Sequence, residues 1–479
     1  MNLPRVVLRE SVLSCVRVAR RARCLATPLL LLACLSASLA AAAQRLPDLV
    51  QAALAADPAV TGAEAQLRAA EQRVVQARAG FGPSAAVTAN STATRYREGP
   101  DFELRPFHAK QLALQITQPV LRLTLLPTLD AALAQVAQAQ AGLEQARAES
   151  AQRLVEAAFE LLKVRDTLSF AQAQRIAAGE QLLAAQGSYK AGTAPITDVR
   201  EAQAKADSVA AQVLAAESDL ELKQQILAEL AGRGAAPGLM ARAIGGERLP
   251  ELPPASVLEW LAAAQQRSGP VRQALQALAI AEAEVQKAGQ GHAPTADITY
   301  TYTMSSDTGT TTSFFPRRGD TSAVALNVNI PLFASGATQS KVRESLALRD
   351  KAQADLETAR RSLTLSVRQT FSAALSAVGQ ARGLETAVMS QELALRANRR
   401  GYEVGLKINA EVLESQSRLF EARRDLSRAR YDAWIGYAKL KALAGRLGET
   451  DIAELEGLLV DAAPLDMRTP QRPKTADPK

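Results

Sequence analysis

The residues best able to form specific polar bonds lie in two related stretches, residues 188–199 and 401–412, which we call the first tip and the second tip. Each contains Tyr-x-x-Gly, and an acidic residue followed by valine stands six residues after the glycine. The glycines, Gly192 and Gly405, occupy the same place in the two stretches. Glycine readily takes the left-handed conformation that ends many helices. Because alanine-rich sequence flanks both stretches, we predict that each is the turn of a helical hairpin.

The other reactive residue types give no sign of catalysis. His108 and His292 are the only histidines, and neither has a carboxylate or cysteine at the spacing of a metal site. The sequence has no glycine-rich phosphate loop, nucleophile elbow or His-Glu-x-x-His motif. We therefore expect no enzyme activity, no cofactor, no metal site and no nucleotide binding.

Residues 1–43 have the pattern of a secretory signal peptide: an arginine-rich start, an apolar stretch over residues 29–39, and alanines at 41–43. The apolar stretch is shorter than the ~20 residues that span a bilayer. The mature chain is expected to start near Gln44. An alternative stays open, in which Leu31-Leu32-Ala33-Cys34 is a lipoprotein cleavage site and Cys34 carries a lipid.

Removing this segment changes what the composition implies. Six arginines and one glutamate leave with it, which lowers the net charge from +7 to +2. The remaining charge gives no reason to expect nucleic-acid binding. All three cysteines also lie in the segment, so stability has to come from packing and assembly rather than from disulfides.

The rest of the chain is a tandem repeat. The separation is nearly the same, to within two positions, for three pairs of landmarks: Pro83 and Pro294, Pro119 and Pro331, and Gly232 and Gly445. Such a constant offset indicates duplication of a whole unit. We predict a first repeat at residues 44–232, a linker rich in glycine and proline at 233–255, a second repeat at 256–445, and a C-terminal segment at 446–479 that ends in a disordered tail.

Each repeat is predicted to run in the order helix, strand, strand, long helix, tip and helix. Its first helix is expected over about 48–79, and again over about 256–288. Strand-like stretches alternate apolar and polar residues, as in Val324, Leu326 and Val328. They fit either a half-buried sheet on a soluble core or strands that cross a bilayer. Four strands cannot close a barrel, which needs about eight, so a membrane barrel would require several chains. The long segments, about 120–187 and 334–400, show coiled-coil spacing.

These features resemble the TolC family of outer-membrane efflux proteins. The resemblance rests on the duplicated order, the Gln118-Pro119-Val120 and Ile330-Pro331-Leu332 junctions, and Gly-Tyr-x-Val-Gly followed by Val-Leu-Glu in the second tip. It implies an α+β membrane protein that forms a homotrimer. Twelve strands, four per chain, would make a β-barrel in outer-membrane lipid, and a long α-helical coiled-coil tunnel would continue it into the periplasm.

The resemblance also implies a gate at the periplasmic end of the tunnel. By position, Thr197 and Asp198 of the first tip and Tyr402 and Lys407 of the second would form a latch. Glu411 and Glu414 from three subunits would form an acidic ring. A lysine and carboxylate make a charge-assisted bond, and clustered carboxylates attract cations. This chain has Lys and Glu where well-known family members carry Arg and Asp, which predicts a weaker latch, because lysine cannot bond in a bidentate way. The alternative is ordinary solvated helix surface.

The implied function is a passive exit duct for type I protein secretion or efflux. Energy would come from an inner-membrane transporter, driven by ATP or protons, which docks through a periplasmic adaptor protein. A small-molecule, drug or metal efflux duct is the alternative, and the sequence does not choose between the cargoes. A periplasmic coiled-coil adaptor without a pore fits less well, because two hairpins with paired strands are not its organisation.

Loosening the latch is expected to open the duct. The double variant Lys407→Ser with Tyr402→Phe should raise single-channel conductance in planar bilayers, because it removes both donors from the latch. Conductance equal to that of the unmodified protein would exclude these two residues from the gate.

Overall fold

The computed structural model describes residues 45–97, 105–232, 242–244, 249–251, 256–310, 313 and 315–461. The predicted signal peptide, most of the predicted linker and the predicted disordered tail lie outside these residues. In the first repeat the elements are α1 (Leu46–Ala56), α2 (Pro58–Ala79), β1 (Ser84–Tyr96), β2 (Arg105–Arg122), α3 (Leu125–Lys190) and α4 (Ile196–Leu230). A short strand, β3 (Arg242–Ile244), follows.

The second repeat has the same order. Its elements are α5 (Val257–Arg267), α6 (Gly269–Gly289), a 3-10 turn (Gln290–His292), β4 (Thr295–Asp307), β5 (Arg317–Asn329), α7 (Ala337–Glu403) and α8 (Asn409–Leu443). The chain then forms α9 (Glu449–Gly457) and β6 (Leu459–Asp461), and β6 pairs with β3. We call α3 with α4 the first hairpin and α7 with α8 the second hairpin. Their long helices have 66 and 67 residues, and their returning helices 35 each.

The four long strands form one antiparallel sheet in the order β1-β2-β4-β5. The β2–β4 pair joins the repeats, with Leu112 opposite Met304, and its register shifts between Pro119 and Leu121. Proline has no N–H for the ladder, which is why it occurs at such irregularities. Val324 and Leu326 of β5 are 73% and 65% exposed. A sheet that covers a soluble core would bury such side chains, so the half-buried alternative does not describe this sheet.

The main core forms where the two repeats meet beside α9. Leu46 of α1, Leu154 and Phe159 of α3, and Tyr431 of α8 are almost completely buried in one apolar cluster. A second cluster packs Trp260 of α5 against α7 and α8. Within the described ranges, no helix is both long enough and apolar enough to cross a membrane.

The first helix of each repeat differs from the prediction, because each is broken into two. Asp57 separates α1 from α2, and Ser268 separates α5 from α6, with ψ angles of 119° and 123°. Pro58 and Pro270 follow these breaks within the next helical turn. Proline lacks the N–H that a continuous helix needs and fits only the first turn. The breaks lie at equivalent places in the two halves of the chain, so they follow the repeat.

Asp57 holds the first break together. Its carboxylate accepts the Ala59 backbone N–H at 2.8 Å, which caps α2, and the Arg153 guanidinium of α3 at 2.6 Å. A hydrogen bond from Ser150 is the main cause that lowers the pKa of Asp57; burial opposes it, and Ala59 and Arg153 lower the pKa further. A carboxyl whose pKa is depressed stabilises the fold above its unfolded-state pKa, and this contribution is lost as the pH falls through the folded-state value.

Two substitutions of Asp57 should distinguish how much its helix cap and how much its negative charge contribute to stability. Asp57→Ala loses both and should lower the free energy of unfolding by about 1 kcal/mol. Asp57→Asn keeps a capping oxygen and loses only the charge, so it should destabilise less. Its difference from the unmodified protein should be constant near neutral pH and shrink below about pH 4. Thermal unfolding followed by circular dichroism measures this. Glu71→Gln, an exposed change in α2, is the control; an Asn variant whose deficit does not change with pH would contradict the charge contribution.

Candidate functional site

Both tips have the same backbone turn. Gly192 and Gly405 have φ angles of +72° and +76°. In the first tip the N–H of Gly192 bonds the Tyr189 carbonyl at 3.0 Å, and in the second the N–H of Gly405 bonds the Tyr402 carbonyl at 3.0 Å. Nothing would contact a Cβ added at either glycine. The glycines are therefore required by backbone conformation and not by lack of space.

The helices that leave the tips begin with acidic side chains. Asp198 lies in the first turn of α4 and Glu411 in the first turn of α8. Carboxylates are favoured there, because the amides of a helix N-terminus carry partial positive charge. Thr197 lies next to Asp198 in α4, and Tyr402 is exposed near the end of α7.

The predicted latch residues are not joined within one chain. Lys407 Nζ bonds Glu411 Oε2 in its own tip. Among the residues that the structure describes, no hydrogen bond or ion pair connects Tyr402 or Lys407 with Thr197 or Asp198. Gly401 contributes to this arrangement, because a Cβ at that position would lie 2.7 Å from Lys407 Cγ. The lysine stem therefore lies against α7, and a bond to Asp198 of another subunit stays a prediction.

The second predicted ring residue also has a basic partner in its own helix. Arg418 Nη2 is 2.6 Å from Glu414 Oε1, one helical turn away. The two side chains are 61% and 63% exposed. Sequence reasoning missed Arg418, although a glutamate four residues before an arginine is a recognisable helix pair.

A polar contact between the two hairpins is centred on Ser417, which is 6% exposed. Its hydroxyl accepts from Lys205 Nζ of α4 at 2.7 Å and from Gln174 Nε2 of α3 at 3.2 Å, and donates to Glu421 at 3.2 Å. We call these four residues the Ser417 cluster. No sequence pattern predicts it, since serine, glutamine and lysine on helices are usually surface residues.

A groove of about 380 Å³ runs beside the Ser417 cluster between the hairpins. It is lined by residues of α4 and α8: Glu201, Lys205, Ala410, Leu413, Glu414, Ser417, Arg418 and Glu421. Charges of both signs therefore face one another across it. In the described part of the chain, no group of three or more His, Cys, Asp or Glu residues could hold a metal ion.

Further polar contacts join α3 to α8 away from the tips. Lys163 bonds Glu160 of its own helix and Asp432 of α8, the latter at 2.9 Å. Burial acts to lower the pKa of Lys163, but the bonds to Glu160 and Asp432 outweigh it and raise that pKa. Asp166 accepts the Tyr431 hydroxyl at 2.9 Å and the Ser427 hydroxyl at 3.2 Å. The repeats are thus held together by specific polar bonds along this helix pair.

The two hairpins differ in how their own helices are joined. In the second hairpin Arg423 is 2.6 Å from Glu392, and Arg430 is 2.9 Å from Glu385. The two glutamates are seven residues apart, and so are the two arginines. The two ion pairs therefore lie two helical turns apart along α7 and α8. The first hairpin cannot form this ladder, because its equivalent positions are occupied by Gln172, Gly179, Ala210 and Glu217.

His108 and His292 lie at the strands, far along the chain from the tips. Nδ1 of His292 donates to the Pro331 carbonyl at 2.9 Å, which connects the 3-10 turn to the segment that follows β5. His108 contacts Thr308 through its backbone. In both cases the histidine bonds a neighbouring segment of the chain, and the contact serves the local structure.

Comparison with known proteins identifies relatives over nearly the whole described chain. The outer membrane efflux protein family matches residues 49–233 and 260–446. Outer membrane protein TolC of Vibrio cholerae is 28% identical over 417 residues, which cover 86% of this chain and 93% of that protein. Alkaline protease secretion protein AprF of Pseudomonas aeruginosa is 28% identical over 323 residues, 66% of each chain. The crystal structure of the Vibrio cholerae outer membrane protein VceC has a TM-score of 0.69 at 20% identity, covering 84% of this chain and 97% of that one.

The Ser417 cluster should couple the hairpins energetically. Ser417→Ala leaves Lys205 and Gln174 without their shared acceptor, so the local opening free energy at the start of α8 should fall by about 1–2 kcal/mol. Lys205→Met combined with Ser417→Ala should cost about 1 kcal/mol less than the sum of the single changes. Amide hydrogen exchange of α8 measures both.

A matched control lies two residues away. Ser415 is also buried, but its hydroxyl accepts from Asn398 of α7, within the second hairpin. Lys205→Met and Ser415→Ala should therefore be additive. Equal coupling in the two pairs would show that the Ser417 cluster does not join the hairpins specifically.

Proposed function

The chain belongs to the outer membrane efflux protein family, and from that premise we propose that it is the outer-membrane exit duct of a type I protein secretion system. Its relatives are outer-membrane channel proteins, and the sequence prediction of the family is confirmed. In the proposed assembly, three chains form one pore. The pore is passive, and it opens at its periplasmic tips when an adaptor and an inner-membrane transporter dock.

The observation that carries the proposal is the four-stranded sheet with two free edges. β1 and β5 each pair on one side only within the described chain. In hydrocarbon every backbone N–H and C=O has to be paired, which excludes open sheet edges there. Pairing β5 of one chain with β1 of the next removes all edges when three chains close into twelve strands. The exposed Val324, Leu326 and Val328 would then face lipid.

The helices supply the periplasmic part. The described α3 and α7 have 66 and 67 residues, which corresponds to ~100 Å at 1.5 Å per residue. Three copies of two hairpins would give a wall of twelve helices around the pore. At the far end of that wall, the tips would converge.

We propose that the Ser417 cluster is one part of the gate. It joins α8 of the second hairpin to both helices of the first, so the second hairpin cannot move outward without breaking its bonds. The ladder formed by Glu385, Glu392, Arg423 and Arg430 would keep α7 and α8 together while they move. The latch between Lys407 and Asp198 is proposed as a contact between subunits, and there Lys407 would have to exchange Glu411 for Asp198.

The proposed cargo class is supported by the relative named for protease secretion, AprF. Small-molecule efflux is the second candidate, favoured by the description of the matching family as efflux proteins. Both functions use the same duct. They differ in the transporter and adaptor that dock, so co-purification from the native host, followed by identification of the bound transporter, would distinguish them.

Tethering should test the gate directly. The described residues contain no cysteine, because all three cysteines precede residue 35. Lys205→Cys with Ser417→Cys should therefore accept a short thiol cross-linker only between the hairpins. In planar bilayers the tethered protein should stay in its low-conductance state, while untethered Ser417→Ala should show higher conductance.

The control tether joins Asn398→Cys and Ser415→Cys inside the second hairpin, and it should leave gating unchanged. If the control tether also blocks opening, movement of the second hairpin as one body is wrong. Folded, membrane-inserted protein that shows no conductance in any variant would contradict the duct itself.

A further inference from the structure

Two acidic side chains at the start of α8 stand between two basic ones, the first of which, Lys407, lies in the turn just before the helix. Lys407, Glu411, Glu414 and Arg418 follow each other at spacings of four, three and four residues. Side chains three or four apart on a helix are neighbours. Each glutamate of the proposed acidic ring thus has its own cation one turn away, and both pairs are formed in the structure.

Both ion pairs are exposed to solvent and are not held by packing against other side chains. Glu414 and Arg418 line the groove between the hairpins, and more than half of each side chain is exposed. An exposed pair of this kind adds little to stability. Its effect on the local charge does not require a persistent hydrogen bond, because residues four apart lie on the same face of a helix and their opposite charges are neighbours there.

Pairing changes what an ion or a cargo segment experiences. A ring of free carboxylates attracts cations and repels anions. The Glu414 carboxylate is 2.6 Å from the Arg418 guanidinium, so the pair acts as a dipole, whose field falls off faster with distance than that of a single charge. Salt at 0.15 M screens the remaining field of the pair within ~8 Å. The groove also contains Lys205 beside Glu201 and Glu421, so it has cations on both hairpins.

We propose that Arg418 is a specificity-determining residue of the duct. By compensating Glu414, it makes the constriction close to neutral in character, so that polypeptide segments rich in acidic side chains pass as readily as basic ones. This inference rests on the proposed function, because it requires Glu414 and Arg418 to face the pore. It differs from the acidic ring that the family resemblance implies, whose charge would select against anionic cargo.

Reversal potentials in a KCl gradient across a planar bilayer test the proposal. The unmodified protein should show weak selectivity between K⁺ and Cl⁻. Arg418→Gln frees three carboxylates in the trimer and should shift the reversal potential towards that of a cation-selective pore. Glu414→Gln with Arg418→Gln removes both charges and should return selectivity to near the unmodified value.

Arg361→Gln is the matched control. Arg361 also pairs with a glutamate four residues before it, at 2.9 Å, and is exposed. It lies well before the second tip on α7, ~60 Å away along the helix, so its removal should not change selectivity. Conducting channels in which Arg418→Gln matches Arg361→Gln would overturn the role of Arg418 and leave the duct intact. The absence of conductance in all variants would instead contradict the proposed function.

Discussion

Backbone polar groups cannot be left unpaired in hydrocarbon, and the architecture of this protein depends on that constraint. One chain supplies four strands, which are too few to enclose side chains or to close on themselves. The β1 and β5 edges must therefore be paired by other copies of the chain. This requirement at the membrane end determines how many helical hairpins surround the tunnel, and hence how many tips meet at its periplasmic end.

Much of this organisation could be predicted from the sequence, because it depends on local pattern. The constant offset between paired prolines and glycines indicated the duplication, and alternating side chains indicated the four strands. The same local rules failed over residues 48–79, where the alanine-rich pattern suggested one helix. Pro58 was the missed signal, since proline favours an extended residue before it and is best accommodated in the first turn of a helix. The second repeat makes the same break at Ser268.

The bonds at the tips could be predicted only in part. The turn at Gly405 follows from glycine chemistry, but the choice of partner for Lys407 does not. That choice depends on whether α4 or α8 presents a carboxylate at the right height, which is set by the relative position of two helices from different repeats. The Ser417 cluster has the same origin. Gln174, Lys205 and Ser417 come from three helices, and no spacing along the chain relates them.

The order of strands in the sheet has a genetic consequence. Because β2 and β4 join inside one chain, the free edges belong to different repeats, and in the proposed ring every contact between chains pairs a first repeat with a second. Such a head-to-tail ring closes only when each member has both edges intact. A cell that makes normal chains and an equal number with a damaged β1 would assemble about one fully normal ring in eight by random mixing. Damage to a single strand edge should therefore behave as a dominant trait.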